Sequence, residues 1–390
     1  MKTTTPGLDR RAFLKHGLIG LAGAGAAAVP FASARGRQAE AAGKGPVITR
    51  TLGRTGIVLP VVSMGVMNAD NDDLVRSALD AGLVYLDTAH GYQRGKNEEM
   101  IGRVLKGRTR ESFVISTKVW EDEKFAGLLD LSLKRLGLDH VNILYVHGLG
   151  SRKEVLSDLN LRNIEAAKKS GKTRFVGVST HSNEPEVIRA AVEAKAYDVV
   201  LTAYNFRKQN LADLDKAIHE AAQAGVGIVA MKTQAGAFWD KNRKDPINMT
   251  AALKWALGNK DVTTAIPGFT TYDQLKTDAA VLADITLMES EKKDLRLGVQ
   301  TGGLYCQQCG TCLAQCSRAL PIPDLMRGYM YAYGYRNLEA AHETVASLKL
   351  PEDPCKDCSN CSVRCASAFD VRDRVSDIAR LGRMPGDFFA

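Results

Sequence analysis

Between residues 46 and 290, eight short apolar runs alternate with segments of helical period, and beyond residue 305 eight cysteines fall into two sets of identical spacing. The first observation predicts the α/β class and a (β/α)8 TIM barrel, a fold of about 250 residues. The second predicts a small, mainly helical domain built around those thiols.

At 390 residues the chain is long enough to bury both cores. The expected organisation is a leader at 1–34, a linker at 35–45, the barrel at 46–290 and the cysteine-bearing domain at 291–390. In the leader, Asp9-Arg10-Arg11-Ala12-Phe13-Leu14-Lys15 precedes an apolar run at 17–29 and then Ala32-Ser33-Ala34. A charged segment, an apolar segment too short for a stable membrane span and an A-x-A cleavage site read as an export signal. An uncleaved anchor or a basic arm is the rival reading. The paired arginines resemble the twin-arginine (Tat) signal, although Asp9 stands where that pattern has Ser or Thr. The resemblance implies a periplasmic or otherwise exported protein, carried folded and cofactor-loaded by the Tat export machinery. Residues 35–45 lack any apolar period. The formal charge of +8 nowhere forms a dense Lys/Arg run interleaved with aromatics, which speaks against a nucleic-acid partner.

The strand-like runs lie at 61–66, 83–87, 113–119, 141–147, 175–179, 199–204, 227–232 and 262–267. Helical period is clear at 73–82, 161–169 and 211–225, and Gly82, Gly171 and Gly225 suit the left-handed position after a helix. An open doubly wound sheet would carry Gly-x-Gly-x-x-Gly after its first strand. Here the first strand ends Ser63-Met64-Gly65-Val66-Met67-Asn68, so the closed barrel is preferred.

On such a barrel Asp87, Lys118 and His147 end strands two, three and four, on the face where the loops converge. Tyr92 follows in the loop after strand two. Any one of them is as readily structural; the four in order make a carbonyl site. A phenol with pKa near 10 is a poor acid or base at neutral pH unless a cation favours its ionised form. Lys118 can supply that cation, Asp87 can hold Lys118 charged and oriented, and His147 can bind the substrate oxygen. Tyr92 would protonate that oxygen as hydride reaches the carbon.

Residues 47–285 resemble the aldo/keto reductase family. The likeness rests on Leu52-Gly53-Arg54-Thr55-Gly56 with the following Val58-Leu59-Pro60, on Asp87-Thr88-Ala89 with Tyr92, and on Lys118, His147 and Gly177-Val178-Ser179. Tyr204-Asn205, Met231-Lys232 and Ile266-Pro267-Gly268 also match. The resemblance implies an NAD(P)-dependent oxidoreductase reducing a small carbonyl substrate, with Tyr92 as general acid, Lys118 as its pKa modulator, Asp87 as partner of Lys118 and His147 as carbonyl binder. It further implies that Tyr204 stacks on the nicotinamide and Ser179 touches its carboxamide, with Lys232, Gly268, Thr270 and Gln274 completing the cofactor site. The chain departs from the family at Thr180 and Leu201, where Asn and Gln commonly hold the carboxamide. It departs again at Gly268, Phe269, Gln274 and Asp278, where NADP-dependent members carry Lys, Ser, Arg and Asn. A planar bidentate phosphate donor is lost there, and Asp278 would repel a phosphate, so NADP and NAD both stay open, with Lys232 and Lys276 as partial compensation. Trp120 and His181 are expected to line the substrate pocket or to pack.

Cys306, Cys309, Cys312 and Cys316 form C-x2-C-x2-C-x3-C, and Cys355, Cys358, Cys361 and Cys365 repeat it. A thiolate on every third residue lets one loop wrap three corners of a cubane cluster. The pattern is similar to that of bacterial ferredoxins, in which the fourth cysteine of each run serves the other cluster. It implies two [4Fe–4S] clusters, one on Cys306, Cys309, Cys312 and Cys365, the other on Cys355, Cys358, Cys361 and Cys316. Four disulfides and thiolate-bound zinc are the rival readings, and the repeated tight spacing favours clusters. No proline follows Cys316 or Cys365. Helical segments at 324–333 and 337–348 make this iron–sulfur domain mainly helical, and the alternating Tyr329, Tyr331, Tyr333 and Tyr335 are expected in a core or interface.

The whole then reads as an exported oxidoreductase that reduces an aldehyde or ketone with nicotinamide hydride, its clusters serving structure or electron transfer to a redox partner protein. The alternative is an electron-transfer or ligand-binding iron–sulfur protein whose nicotinamide site has decayed. Hydride carries two electrons and a cluster accepts one, so direct exchange needs a splitting cofactor such as flavin, for which the sequence holds no motif.

Overall fold

The computed structural model describes residues 46–240, 242–298, 304–358 and 360–389. The expected leader at 1–34 and linker at 35–45 lie outside the described residues. The chain opens with an antiparallel hairpin, β1 (Thr49–Thr51) against β2 (Val58–Pro60), that the periodicity did not separate from the barrel. Its turn passes through Gly53 at φ +48°, where an added Cβ would stand 2.4 Å from the carbonyl oxygen of Gly225. Only a glycine lets this turn approach so closely. Leu52 and Leu59 pack with Ile143, Val199 and Val229 and close the barrel floor.

Eight parallel strands follow, β3 (Met64–Gly65), β4 (Tyr85–Asp87), β5 (Val114–Val119), β6 (Val141–Val146), β7 (Thr173–Thr180), β8 (Val199–Ala203), β9 (Gly227–Met231) and β10 (Thr264–Ala265). Each pairs with its neighbour in chain order. Val62 bridges Ala265, and the amides of Ser63 and Gly65 donate to the carbonyls of Ala265 and Pro267, which brings the last strand back to the first. All eight predicted runs contribute a strand.

The helices between them are α1 (Asp72–Asp80), α2 (Lys96–Leu105), α3 (Phe125–Leu136), α4 (Arg152–Val155), α5 (Asp158–Lys169), α6 (Glu184–Ala194), α7 (Leu211–Gln223), α8 (Met249–Gly258) and α9 (Tyr272–Ala279). Asn71 starts α1 by accepting from the amides of Asp73 and Leu74. Gly82, Gly171 and Gly225 take φ of 96°, 73° and 76°, as the sequence predicts. The main core lies between the strands and this helical ring.

Beyond α10 (Glu289–Asp294) the chain builds α11 (Ile322–Tyr329), a π-helical turn at Met330–Gly334, α12 (Leu338–Ala346) and α13 (Val371–Ala379). These share a second core of Leu325, Met326, Ala341, Val345, Val375 and Ile378. The four alternating tyrosines are helical, and pair one turn apart: Tyr329 with Tyr333 at 4.5 Å and Tyr331 with Tyr335 at 5.6 Å between ring centroids. Helix α13 has no counterpart in the sequence reading. Among the described residues no helix is long and apolar enough to cross a membrane.

Candidate active site

Four side chains meet at the carboxyl ends of β4, β5 and β6. Lys118 points inward from β5 on the same parity as Val114 and Ser116, and its ammonium is enclosed. Lys118 Nζ donates to Asp87 Oδ2 at 2.6 Å, to Thr88 O at 2.7 Å and to Tyr92 Oη at 3.2 Å. Asp87 Oδ1 accepts from Ser116 Oγ at 2.6 Å, and Ser116 in turn meets the Tyr85 hydroxyl at 2.9 Å. The aspartate is thus gripped from below and the lysine from two sides. Burial pulls the lysine down in pKa while Asp87 holds it up.

His147 stands one residue past β6, stacked on Trp120 at 5.9 Å and edge-on to Tyr92 at 6.0 Å. Burial and the cations Lys118, Arg327 and Lys232 drive its pKa to about 3. It is a neutral imidazole, and its buried Nδ1 has no protein partner among the described residues. Such a ring can donate a hydrogen bond to a carbonyl oxygen without giving up a proton. The phenol of Tyr92 can supply one; burial, Asp87 and Tyr331 hold it well above its ordinary value. The sequence reading gave Lys118 the deciding influence on that phenol; here burial outweighs it, and the hydrogen bond from Lys118 keeps the phenol oriented. Trp120 is seated by Gly91, where a Cβ would lie 2.3 Å from its ring.

The roof comes from the chain beyond residue 304. Arg327, Tyr331 and Tyr305 line the same cavity of about 710 Å3 as Tyr92, Lys118 and His147. Arg327 Nη1 donates to His181 Nδ1 at 3.1 Å, which places the His181 proton on Nε2. Asn205 donates to Gln307 Oε1 at 3.1 Å, and Lys208 to Gln307 O at 3.0 Å. Asn337 bonds Asn68 at 2.9 Å. Sequence reasoning missed Arg327 and Tyr331, because nothing local marks where a second core docks. The π turn that carries Tyr331 is an irregularity frequent at functional sites.

Of the expected cofactor residues, Ser179, Lys232, Gly268, Thr270 and Gln274 line this cavity. Ser179 Oγ accepts from the Gly148 amide at 2.9 Å, and Gln274 Oε1 from the Thr270 amide at 2.9 Å. Tyr204 does not reach it. Strand parity sends Leu201 and Ala203 inward and Tyr204 outward, where its ring lies 5.1 Å from Trp255 and its hydroxyl donates to Asp215 at 2.7 Å. The expected nicotinamide stack therefore falls away, and Met231 and Ala203 are the strand-end residues that face the mouth. His181 and Trp120 both line the pocket. Asp278 is buried, its carboxyl pushed up to about 7 by desolvation, so near neutral pH it is shared between its protonated and ionised forms.

Residues 64–251 match the aldo/keto reductase family model. Over that segment, just under half of the chain, the barrel is similar to aldo/keto reductases. The match and the curated relatives support an NAD(P)-dependent oxidoreductase. The chain is similar to L-galactose dehydrogenase of Arabidopsis thaliana, 24% identical over 296 residues that span 63% of this chain and 91% of the relative. It is 31% identical to L-glyceraldehyde 3-phosphate reductase of Escherichia coli (strain K12) over 160 residues, 35% of this chain and 46% of the relative. Among solved structures it resembles the holo form of an aldo-keto reductase from Bacillus halodurans, with TM-score 0.54, 23% identity, and 64% and 95% of the two chains covered. An aldo-keto reductase from Klebsiella pneumoniae in complex with NADPH gives TM-score 0.52 at 22% identity, covering 64% and 94%.

The matched aldo/keto reductase segment ends before the cysteines begin. None of the eight is paired in a disulfide. Burial pushes Cys306 up to about 12, and the thiols whose charge acts on it are Cys309, Cys312 and Cys365. Those acting on Cys355 are Cys358, Cys361 and Cys316, and the same four line one small pocket. Each group mixes the two runs in the crossed manner the spacing implies. Among the described residues no three His, Cys, Asp or Glu converge tightly enough for a single metal ion.

Proposed function

We propose that this protein reduces a small aldehyde or ketone by nicotinamide hydride and carries two [4Fe–4S] clusters behind the catalytic barrel. The observation that carries the first half is the Lys118 ammonium, held by Asp87 and bonded to Tyr92 Oη at 3.2 Å beside a neutral His147. The nucleotide supplies the hydride when bound. His147 orients the substrate oxygen, Tyr92 delivers the proton, and Lys118 steadies the phenolate left behind. NADP is supported by the NADPH complex among the structural relatives, and the raised pKa of Asp278 lessens the repulsion expected from a carboxylate.

The cluster reading is supported by the donor chemistry and the two crossed groups of thiols. In a multi-iron cluster each thiolate binds its own iron, so four cysteines drawn from two runs can serve one cluster. The leader supports export through the Tat route with clusters already inserted, and a redox partner protein would then meet them outside the cytoplasm.

Replacing Tyr92 by Phe tests the catalytic assignment: carbonyl reduction should fall by roughly 100–10,000-fold while cluster absorbance is unchanged. Undiminished turnover would sink it. Anaerobic titration with NADPH and NADH, followed by nucleotide fluorescence and visible absorbance, tests the rest. Tight binding without bleaching supports a reductase with structural or separately served clusters, whereas no binding of either nucleotide turns the assignment to the electron-transfer alternative.

A further inference from the structure

Five cations line this cavity: Lys118 has Asp87, Lys208 has Glu184, Arg327 has Asp324 at 2.8 Å, and Arg243 donates to Tyr333 O at 3.0 Å. Lys232 has no such partner among the described residues; its ammonium lies 5.7 Å from the ring centre of Tyr331. Its backbone takes φ of +55°, uncommon for a side-chain-bearing residue and a recurrent mark of functional positions. Lys232 is half-buried, and a poorly solvated ammonium without a partner is usually served by a counter-ion.

Arg327 lines the same cavity, and its charge reaches Lys232. Its contacts to Asp324 and His181 use two of the five guanidinium N–H groups, leaving donors for a ligand. Both cations act on the His147 and His181 imidazoles, so the positive region reaches the carbonyl binder itself. The enclosed volume of about 710 Å3 suits a small molecule.

We propose that Lys232 of the barrel and Arg327 of the C-terminal module form a subsite for an oxyanionic group of the substrate, so that the preferred carbonyl compound carries a carboxylate or phosphate close to its C=O. This rests on the reductase reading of the same site and adds a substrate class to it. Neither element makes the subsite alone, since Lys232 ends β9 and Arg327 lies on α11.

The test measures binding of oxalate and of inorganic phosphate to the iron-loaded, full-length protein by calorimetry, with and without saturating NADPH. Oxyanion binding should persist beside the nucleotide, weaken roughly 10–100-fold in Arg327→Met, and return in part in Arg327→Lys. Which anion binds more tightly separates a carboxylate from a phosphate ligand. Binding that vanishes when nucleotide is present would mean that the cofactor's own phosphates fill the subsite, and would overturn the substrate assignment. Affinity unchanged in both Arg327→Met and Lys232→Met would overturn the subsite. So would a Lys232→Met protein whose cluster potential shifts while oxyanion affinity does not, because the missing counter-ion would then be the iron–sulfur group at Cys306.

Kinetics supply a second readout. The ratio of kcat/KM for glyoxylate to that for glycolaldehyde should exceed one and drop about tenfold in Arg327→Met, a loss of one charge-assisted contact; equal preference in the unaltered protein counts against the proposal. No turnover of either aldehyde, with oxyanion binding still weakened by Arg327→Met, would defeat the reductase reading and leave the subsite standing.

Discussion

Tyr92 lies 3.2 Å from the Lys118 ammonium, yet burial and Asp87 keep its phenol protonated. In the proposed reaction it would therefore enter as an acid with its proton in place, and Lys118 would act after the proton has gone. Lys118→Met should lower kcat by roughly 100-fold or more and shift the pH profile of the reverse, alcohol-oxidising direction to higher pH, because the phenolate has lost its stabiliser. His147, with a pKa near 3, should contribute no titration to that profile above about pH 5. Asp278 titrates instead through stability. Its value is 3.8 in the ordinary state and about 7 in the fold, so the folded protein holds the extra proton between those limits. That contribution is present below about pH 4 and is lost as pH rises through 7. Asp278→Asn should accordingly flatten the decline in urea stability between pH 5 and pH 8, by on the order of 1–3 kcal/mol.

At the scale of elements, the strands were legible and their neighbours less so. Asp87, Lys118 and His147 announce themselves because each closes an apolar run whose C-terminal end must face the loops. Tyr204 was misread for a reason visible in the same residues: Val199, Leu201 and Ala203 share one face of β8, and the next residue has to take the other. The hairpin β1–β2 stayed hidden because three-residue strands leave no period to detect. The loop after β4 shows how little room the site has. Gly91→Ala would drive a methyl into Trp120, whose ring stacks on His147. The expected result is a displaced indole with altered fluorescence, a stability loss of about 1–3 kcal/mol and a larger fall in kcat/KM than in cluster content.

For the whole molecule, the placement of the roof was beyond the sequence, since Arg327, Tyr331 and Gln307 lie far along the chain from the residues they meet. Their docking depends on the buried pair of Lys208 and Glu184, through which Lys208 also holds Gln307 O. Lys208→Met leaves Glu184 without its partner and should cost about 3–5 kcal/mol, with the segment beyond residue 304 becoming the first site of proteolysis. Should the thiols bind iron as proposed, Cys309→Ser should lower iron content and expose the same segment, and undiminished iron would refute the ligand grouping.

The bond from Arg94 to Gly386 O joins residues 292 positions apart. Synthesis runs from the amino terminus at roughly 5–20 residues per second, so every strand of the barrel is made before the residues that cover its mouth. A barrel that closed before those residues were made would leave Tyr92, Lys118 and His147 open to water, and the burial that holds the Tyr92 phenol protonated would come only with the last part of the chain.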